Sequence, residues 1–213
     1  MLGYDHGSSY TNRGETAIST ENAHELGPLW EFEARGLVYG TPVVVDGVVY
    51  VTSTGGLYAF DDASGEIVWQ NLEVGATSSL AYFEGTIFVH DLGAFLRALD
   101  AATGEEKWRT RTDAHPLATG LSSPIVFERY VVVGLSSNEI VREGATFRGG
   151  VAAFDRDTGE QLWRDFTADP PHNGASVWST VSIDGEARVV FAGSGQNYTG
   201  VAGPGSDALF ALD

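Results

Sequence analysis

The 213-residue chain has no cysteine, one methionine, and a single lysine (Lys107) against eleven arginines. Without cysteine there are no disulfides, no thiolate metal sites, no cysteine nucleophile and no covalently attached haem. Apolar runs are short, well below the ~18 residues of a membrane-spanning helix, so no membrane span is expected. No basic segment followed by an apolar stretch comes after Met1, so no signal peptide is visible in this chain. Positive charge is also scarce. With 12 basic against 29 acidic side chains the formal net charge is -17, which repels phosphate backbones and argues against nucleic acid as a partner. A carboxylate-crowded surface nearly free of lysine fits two readings: adaptation to high salt, or a codon bias toward arginine in an ordinary acidic protein.

What the chain does have is a repeat. Phe60-Asp61 leads through Ser64-Gly65 to Trp69; Leu99-Asp100 leads through Thr103-Gly104 to Trp108; Phe154-Asp155 leads through Thr158-Gly159 to Trp163. A fourth copy begins at Phe210-Ala211-Leu212-Asp213, and Trp30 has the look of the closing residue of an earlier one. Trp30, Trp69, Trp108 and Trp163 are spaced by 39, 39 and 55 residues, so the last interval carries an insertion. An Asp-to-Gly turn is hairpin chemistry: the carboxylate gathers backbone N–H groups and glycine supplies a positive φ. Each unit has a second hairpin upstream, at Asp46-Gly47, Glu84-Gly85, Glu128-Arg129 and Asp184-Gly185, flanked by short apolar strands. No segment has a helical period, so helix should be nearly absent.

Units of about forty residues with four antiparallel strands each read as β-propeller blades. A β-sandwich also has short, evenly spaced strands, but it does not require tryptophan at one offset after one turn. The expected fold is therefore all-β, a single partial propeller domain over residues 1–213. Its divisions are a ring-closing segment at 1–30, blades at 31–69 and 70–108, a blade at 109–163 with an insertion at 139–147, and an incomplete blade at 164–213. About four blades read as part of a larger ring. A four-bladed ring closed by the N-terminal segment and half-rings paired as an oligomer are the alternatives.

The Ala-x-Asp-x-x-Thr-Gly-x-x-x-Trp string resembles the tryptophan-docking motif of the quinoprotein dehydrogenases, whose full ring has eight blades. Non-repeated stretches are similar to the polyvinyl-alcohol-dehydrogenase-like branch. They include Asp113 with His115-Pro116, Ser122-Ser123-Pro124, Val133-Gly134-Leu135-Ser136-Ser137-Asn138-Glu139, Thr146-Phe147-Arg148-Gly149, Val177-Trp178-Ser179, and Gly193-Ser194-Gly195-Gln196-Asn197-Tyr198. The opening Gly3-Tyr4-Asp5 through Tyr10-Thr11-Asn12, then Thr16-Ala17-Ile18-Ser19, resembles the family's N-terminal segment, which closes the ring. The resemblance implies an alcohol dehydrogenase holding pyrroloquinoline quinone and calcium, with a small-molecule or polymeric alcohol as substrate and an acceptor such as a cytochrome. It implies a periplasmic or extracellular setting. A non-catalytic propeller of the same superfamily, acting as a binding or assembly scaffold, is the alternative.

Carried over by position, Glu139 matches the family's calcium-ligating glutamate, and the amide ligand falls at Gln196 or Asn197. Trp178 matches the aromatic floor under the quinone, and it stands outside the repeat register. Ser136 and Ser137 match the turn that contacts the cofactor. Arg148 could pair with a cofactor carboxylate or serve as a loop strut. Two departures stand out. Gly144-Ala145 occupies the place of the family's adjacent cysteine pair, and Gln196 stands where the family usually has asparagine. The resemblance puts the family's general base beyond Asp213, so no catalytic residue is assigned within the chain. The five histidines (His6, His24, His90, His115, His172) have no zinc-site spacing, and His115 and His172 read as loop packing.

Overall fold

The computed structural model describes residues 5–139 and 143–213. Gly3 and Tyr4 of the N-terminal stretch, and Ile140, Val141 and Arg142 of the insertion, lie outside the described residues. Among the described residues, beyond one short 3-10 turn at Ala23–Glu25, the ordered elements are all strands.

They form four antiparallel sheets in chain order. The first is β1 (Val43–Val45), β2 (Val48–Ser53), β3 (Gly56–Asp61) and β4 (Ile67–Asn71). The second is β5 (Ala81–Phe83), β6 (Thr86–His90), β7 (Phe95–Asp100) and β8 (Glu106–Arg111). The third holds β9 (Ala118–Thr119), β10 (Ile125–Phe127), β11 (Tyr130–Ser137), β12 (Gly150–Asp155) and β13 (Gln161–Phe166). The fourth holds β14 (Ser182–Asp184), β15 (Val189–Gly193) and β16 (Leu209–Leu212). The expected four strands per unit hold for the first two sheets. The third sheet gains β9, which pairs with the far end of β11 through Ser136↔Thr119 and Ser137↔Ala118, and the fourth has three strands.

Local sequence explains the hairpins. At Asp46-Gly47 both central residues have positive φ (49° and 80°), and Glu84-Gly85 repeats this at 43° and 75°, the backbone of a type I′ turn. In the recurring Asp turn, Asp61 Oδ1 accepts the N–H and the hydroxyl of Ser64, both at 2.8 Å. Asp100 and Asp155 hold Thr103 and Thr158 in the same way. Gly65, Gly104 and Gly159 close the turns at φ of 73°, 73° and 74°.

Each turn is the seat of the preceding unit's indole. Trp30 Nε1 donates to the carbonyl of Asp62 at 2.8 Å, Trp69 Nε1 to Ala101 at 2.9 Å, and Trp108 Nε1 to Arg156 at 3.1 Å. The rings lie so close on the turn glycines that a Cβ on Gly65, Gly104 or Gly159 would stand 2.7, 2.5 or 2.6 Å from an indole carbon. A fixed tryptophan offset in sequence thus becomes a repeated inter-sheet latch.

Between the latches, apolar faces of successive sheets meet. Leu57, Ala59, Leu80, Ile87 and Leu99 fill the space between the first and second sheets. Phe88, Leu96, Val131, Val133 and Phe154 fill the second gap, and Ile125, Val132, Val151, Val177 and Val190 the third. Sheets packed face to face in series, each against its sequence neighbours, make the β-propeller arrangement.

Candidate functional site

The site forms where β11 outruns its hairpin partner β10. Past Leu135, pairing passes to β9, and Ser136 Oγ donates to the Thr119 carbonyl at 2.8 Å while Asn138 N–H donates to Leu117 at 2.9 Å. This extension carries Ser136, Ser137 and Glu139 to one end of the third sheet. Alongside runs the segment 174–178, held by Val177 N–H on Leu135 O at 3.0 Å and Ala175 N–H on Gln196 O at 2.8 Å. The segment fits only because Gly134 and Gly149 lack side chains. A Cβ there would stand 2.3 Å from the Val177 carbonyl oxygen and 2.1 Å from that of Ala175.

Beyond this close passage the Trp178 side chain emerges, 58% exposed. With Leu121, Ser136, Ser137, Ser176, Gly195, Gln196 and Tyr198 it lines a pocket of about 300 Å³. Gly195 keeps the space beside the indole open, since a Cβ on it would lie 3.1 Å from Trp178 Nε1. The floor is tied together from below. Ser176 Oγ and Tyr198 Oη share a hydrogen bond of 2.6 Å, and Tyr198 Oη also donates to the Ser137 carbonyl at 3.4 Å.

Of the residues singled out in the sequence, Trp178, Ser136, Ser137 and Gln196 share this pocket. The other three sit outside its lining. Glu139, 7% exposed, is joined to it through Ser137, whose Oγ accepts the Glu139 N–H at 3.2 Å. The Glu139 Oε2 accepts the amides of Thr146 and Phe147 at 2.9 and 2.6 Å and lies 3.5 Å from His115 Nε2. Asn197 turns its Nδ2 to the Gly200 carbonyl at 2.9 Å. Arg148 stacks its guanidinium 3.8 Å from the Phe166 ring centroid and donates to Ala168 O at 3.2 Å, the contacts of a loop strut. At the place of the family's cysteine pair, Gly144 has a φ of 76° and Ala145 is buried in the core beside Phe147 and Tyr198.

The sequence reading missed Tyr198, Ser176 and Asn173. Asn173 Nδ2 donates to Ala145 O at 3.0 Å and to Thr199 Oγ1 at 2.7 Å, while its Oδ1 accepts the amides of Tyr198 and Thr199. It thereby straps the 145 and 198 loops together. Both partners are distant in sequence, and no local pattern announced them. His115 was read as loop packing, and its contact with Glu139 is long-range as well.

The pocket offers one open aromatic face, the Trp178 indole, beside glycine and small hydroxyls. Cation donors are sparser. Glu139 and Gln196 carry oxygen donors of the kind calcium takes, but among the described residues no three His, Cys, Asp or Glu side chains gather as a metal cluster.

The family model described as outer membrane protein assembly factor BamB, the PQQ_2 repeat, matches residues 3–81 and 27–206. The chain belongs to this family. Polyvinylalcohol dehydrogenase of Pseudomonas sp. is 30% identical over 86% of this chain and 34% of its own length. The protein of the same name from Sphingopyxis sp. (strain 113P3) is 27% identical over 92% and 35%. Among solved structures, quinohemoprotein alcohol dehydrogenase from Comamonas testosteroni superposes with a TM-score of 0.77 at 26% identity, covering 92% of this chain and 35% of that one. The chain is thus a quinoprotein-dehydrogenase-like β-propeller that spans about a third of the length of the curated relatives it matches.

Proposed function

We propose that the chain is part of a pyrroloquinoline quinone- and calcium-dependent alcohol dehydrogenase. The observation that carries this reading is the open Trp178 indole over a pocket that also holds Ser136, Ser137 and Gln196. Trp178 is the stacking floor, and Gly195 leaves the slot wide enough for a planar ring. Ser136 and Ser137 offer polar groups along the ring's edge. Glu139 and Gln196, with Asn197 next to it, supply carboxylate and amide oxygens toward calcium, which takes six to eight oxygens, the remainder coming from cofactor and solvent. Arg148 serves the loop in the first place, its guanidinium being spent on Phe166 and Ala168. When bound, the quinone would supply the two-electron oxidising power for an alcohol. The protein's part is to hold and orient that ring and to shield one of its faces. A small-molecule or polymeric alcohol is the substrate, a cytochrome the electron acceptor, and the periplasm or the cell exterior the setting.

The family model's description favours one other reading, a propeller acting as a binding or assembly scaffold, and the exchange of the cysteine pair for Gly144-Ala145 is in keeping with it. Reconstitution separates the two. The full-length protein, given quinone and calcium, is expected to bind the quinone and to reduce a redox dye when alcohol is added, and Glu139→Gln to lower quinone retention by tenfold or more. Absence of quinone binding by a folded, cooperatively melting protein would favour the scaffold.

A further inference from the structure

The structure assigns His115 a positioning role: it holds Thr146 in place, so that the amides of residues 146 and 147 stay aimed at the Glu139 carboxylate. The consequence for calcium follows only where Glu139 is a ligand, and so rests on the function proposed above.

The arrangement begins with the imidazole itself. Leu117 N–H donates to His115 Nδ1 at 3.2 Å, so Nδ1 is the accepting nitrogen and the ring proton resides on Nε2. Nε2 faces two oxygens, Thr146 Oγ1 at 3.1 Å and Glu139 Oε2 at 3.5 Å. That same Oε2 accepts the backbone N–H groups of Thr146 and Phe147. His115 therefore grips residue 146 by its hydroxyl while facing the carboxylate that grips it by its amide. The Phe147 ring meets the imidazole edge-on, with centroids 5.5 Å apart and planes at 74°, which limits rotation of the ring.

Behind the histidine stands a second tether. Asp113 Oδ1 accepts the His115 N–H at 2.7 Å, and the Asp113 carboxylate pairs with Arg164 on β13. The side chains of His115 and Glu139 are only 16% and 9% exposed, so water competes weakly for either. By fixing Thr146 through its hydroxyl, a donor set in tautomer and anchored to a neighbouring strand fixes one of the two amides that orient the carboxylate. Outer partners of a ligating group are typically worth about 10–100-fold in metal affinity.

The test uses the full-length protein with His115→Ala, His115→Gln and Glu139→Gln. Two readouts are taken: calcium titration by calorimetry, and hydrogen exchange of the Thr146 and Phe147 amides without metal. His115→Ala is expected to speed exchange at both amides by about tenfold and to weaken calcium binding by about tenfold. Glutamine, whose Nε2 can donate from a similar distance, should restore most of both. If Glu139→Gln weakens calcium binding but His115→Ala changes neither readout, the positioning role is wrong while the ligand reading stands. If Glu139→Gln leaves calcium binding intact, the ligand reading falls. The amide exchange then decides on His115 alone: unchanged protection at 146 and 147 overturns it, and lost protection upholds it. A variant that merely destabilised the fold would speed exchange across the third sheet, and that pattern also overturns the role.

Discussion

Gly104→Ala is expected to destabilise the protein by about 3 kcal/mol, far more than the same change at Gly85. The two glycines have nearly the same backbone, with φ of 73° and 75°. Alanine at either one incurs the left-handed strain of roughly 1 kcal/mol. At Gly85 nothing lies within 4 Å of the added carbon, so strain is the whole effect. At Gly104 the new Cβ would stand 2.5 Å from Trp69 Cε3, well inside contact distance. The indole must shift, which disturbs its 2.9 Å hydrogen bond to Ala101 and its packing on Tyr50. Losing one hydrogen bond and part of an aromatic contact adds about 2 kcal/mol. Urea denaturation of the two variants side by side measures the difference. Equal losses at the two positions would mean that the indole seats do not join the sheets.

The second large effect is acid destabilisation through His90. Burial holds its imidazole down to about 4 from an ordinary value of 6.5, against the opposing pull of the Asp91 carboxylate and the Ser122 backbone. Nε2 lies 3.0 Å from Thr112 Oγ1, whose own proton goes to the Ala94 carbonyl, so Nε2 is the protonated nitrogen. Nδ1 is buried without a hydrogen-bond partner. The folded state therefore keeps His90 neutral over a range in which the unfolded chain binds a proton. The associated stability is complete above pH 6.5 and declines as pH falls toward 4. A gap of about 2.5 units corresponds to about 3 kcal/mol once both values have been passed. Asp61, Asp100 and Asp155, whose carboxyls are lowered from 3.8 by their turn partners and in two cases a cation, act in the same direction at lower pH, their contribution being lost as pH falls below the ordinary carboxylate range. Unfolding free energies measured between pH 7.5 and 4 should fall accordingly, and His90→Gln should flatten that part of the curve. A His90→Gln profile parallel to the parent's would place the acid sensitivity elsewhere.

The contrast between these two residues shows what the sequence could reveal. Gly104 was visible because its role is local: an Asp turn needs positive φ at its close, and the same string recurs three times. The Asp46-Gly47 and Glu84-Gly85 hairpins were legible on the same grounds. The two-residue strand β9 was not, because its pairing with Ser136 and Ser137 depends on chain that is remote in sequence. Trp178 could be picked out because it breaks the repeat, yet its exposure follows from Gly134 and Gly149 admitting the segment beside it. Nor could the chain alone disclose the Asn173 strap, the stacking of Arg148 on Phe166, or the meeting of His115 with Glu139. Each joins segments well separated along the chain, and neither partner taken singly carries a local signal of the other.

The most direct examination of the central claim is a calorimetric titration of the calcium-supplemented protein with pyrroloquinoline quinone, parent against Trp178→Ala. The side chain is mostly solvent-exposed, so its removal should leave the melting temperature nearly unchanged. Loss of the stacking surface should weaken quinone binding by about tenfold or more. Undiminished affinity in the alanine variant would contradict the account, because the flat ring would then rest on some other part of the propeller.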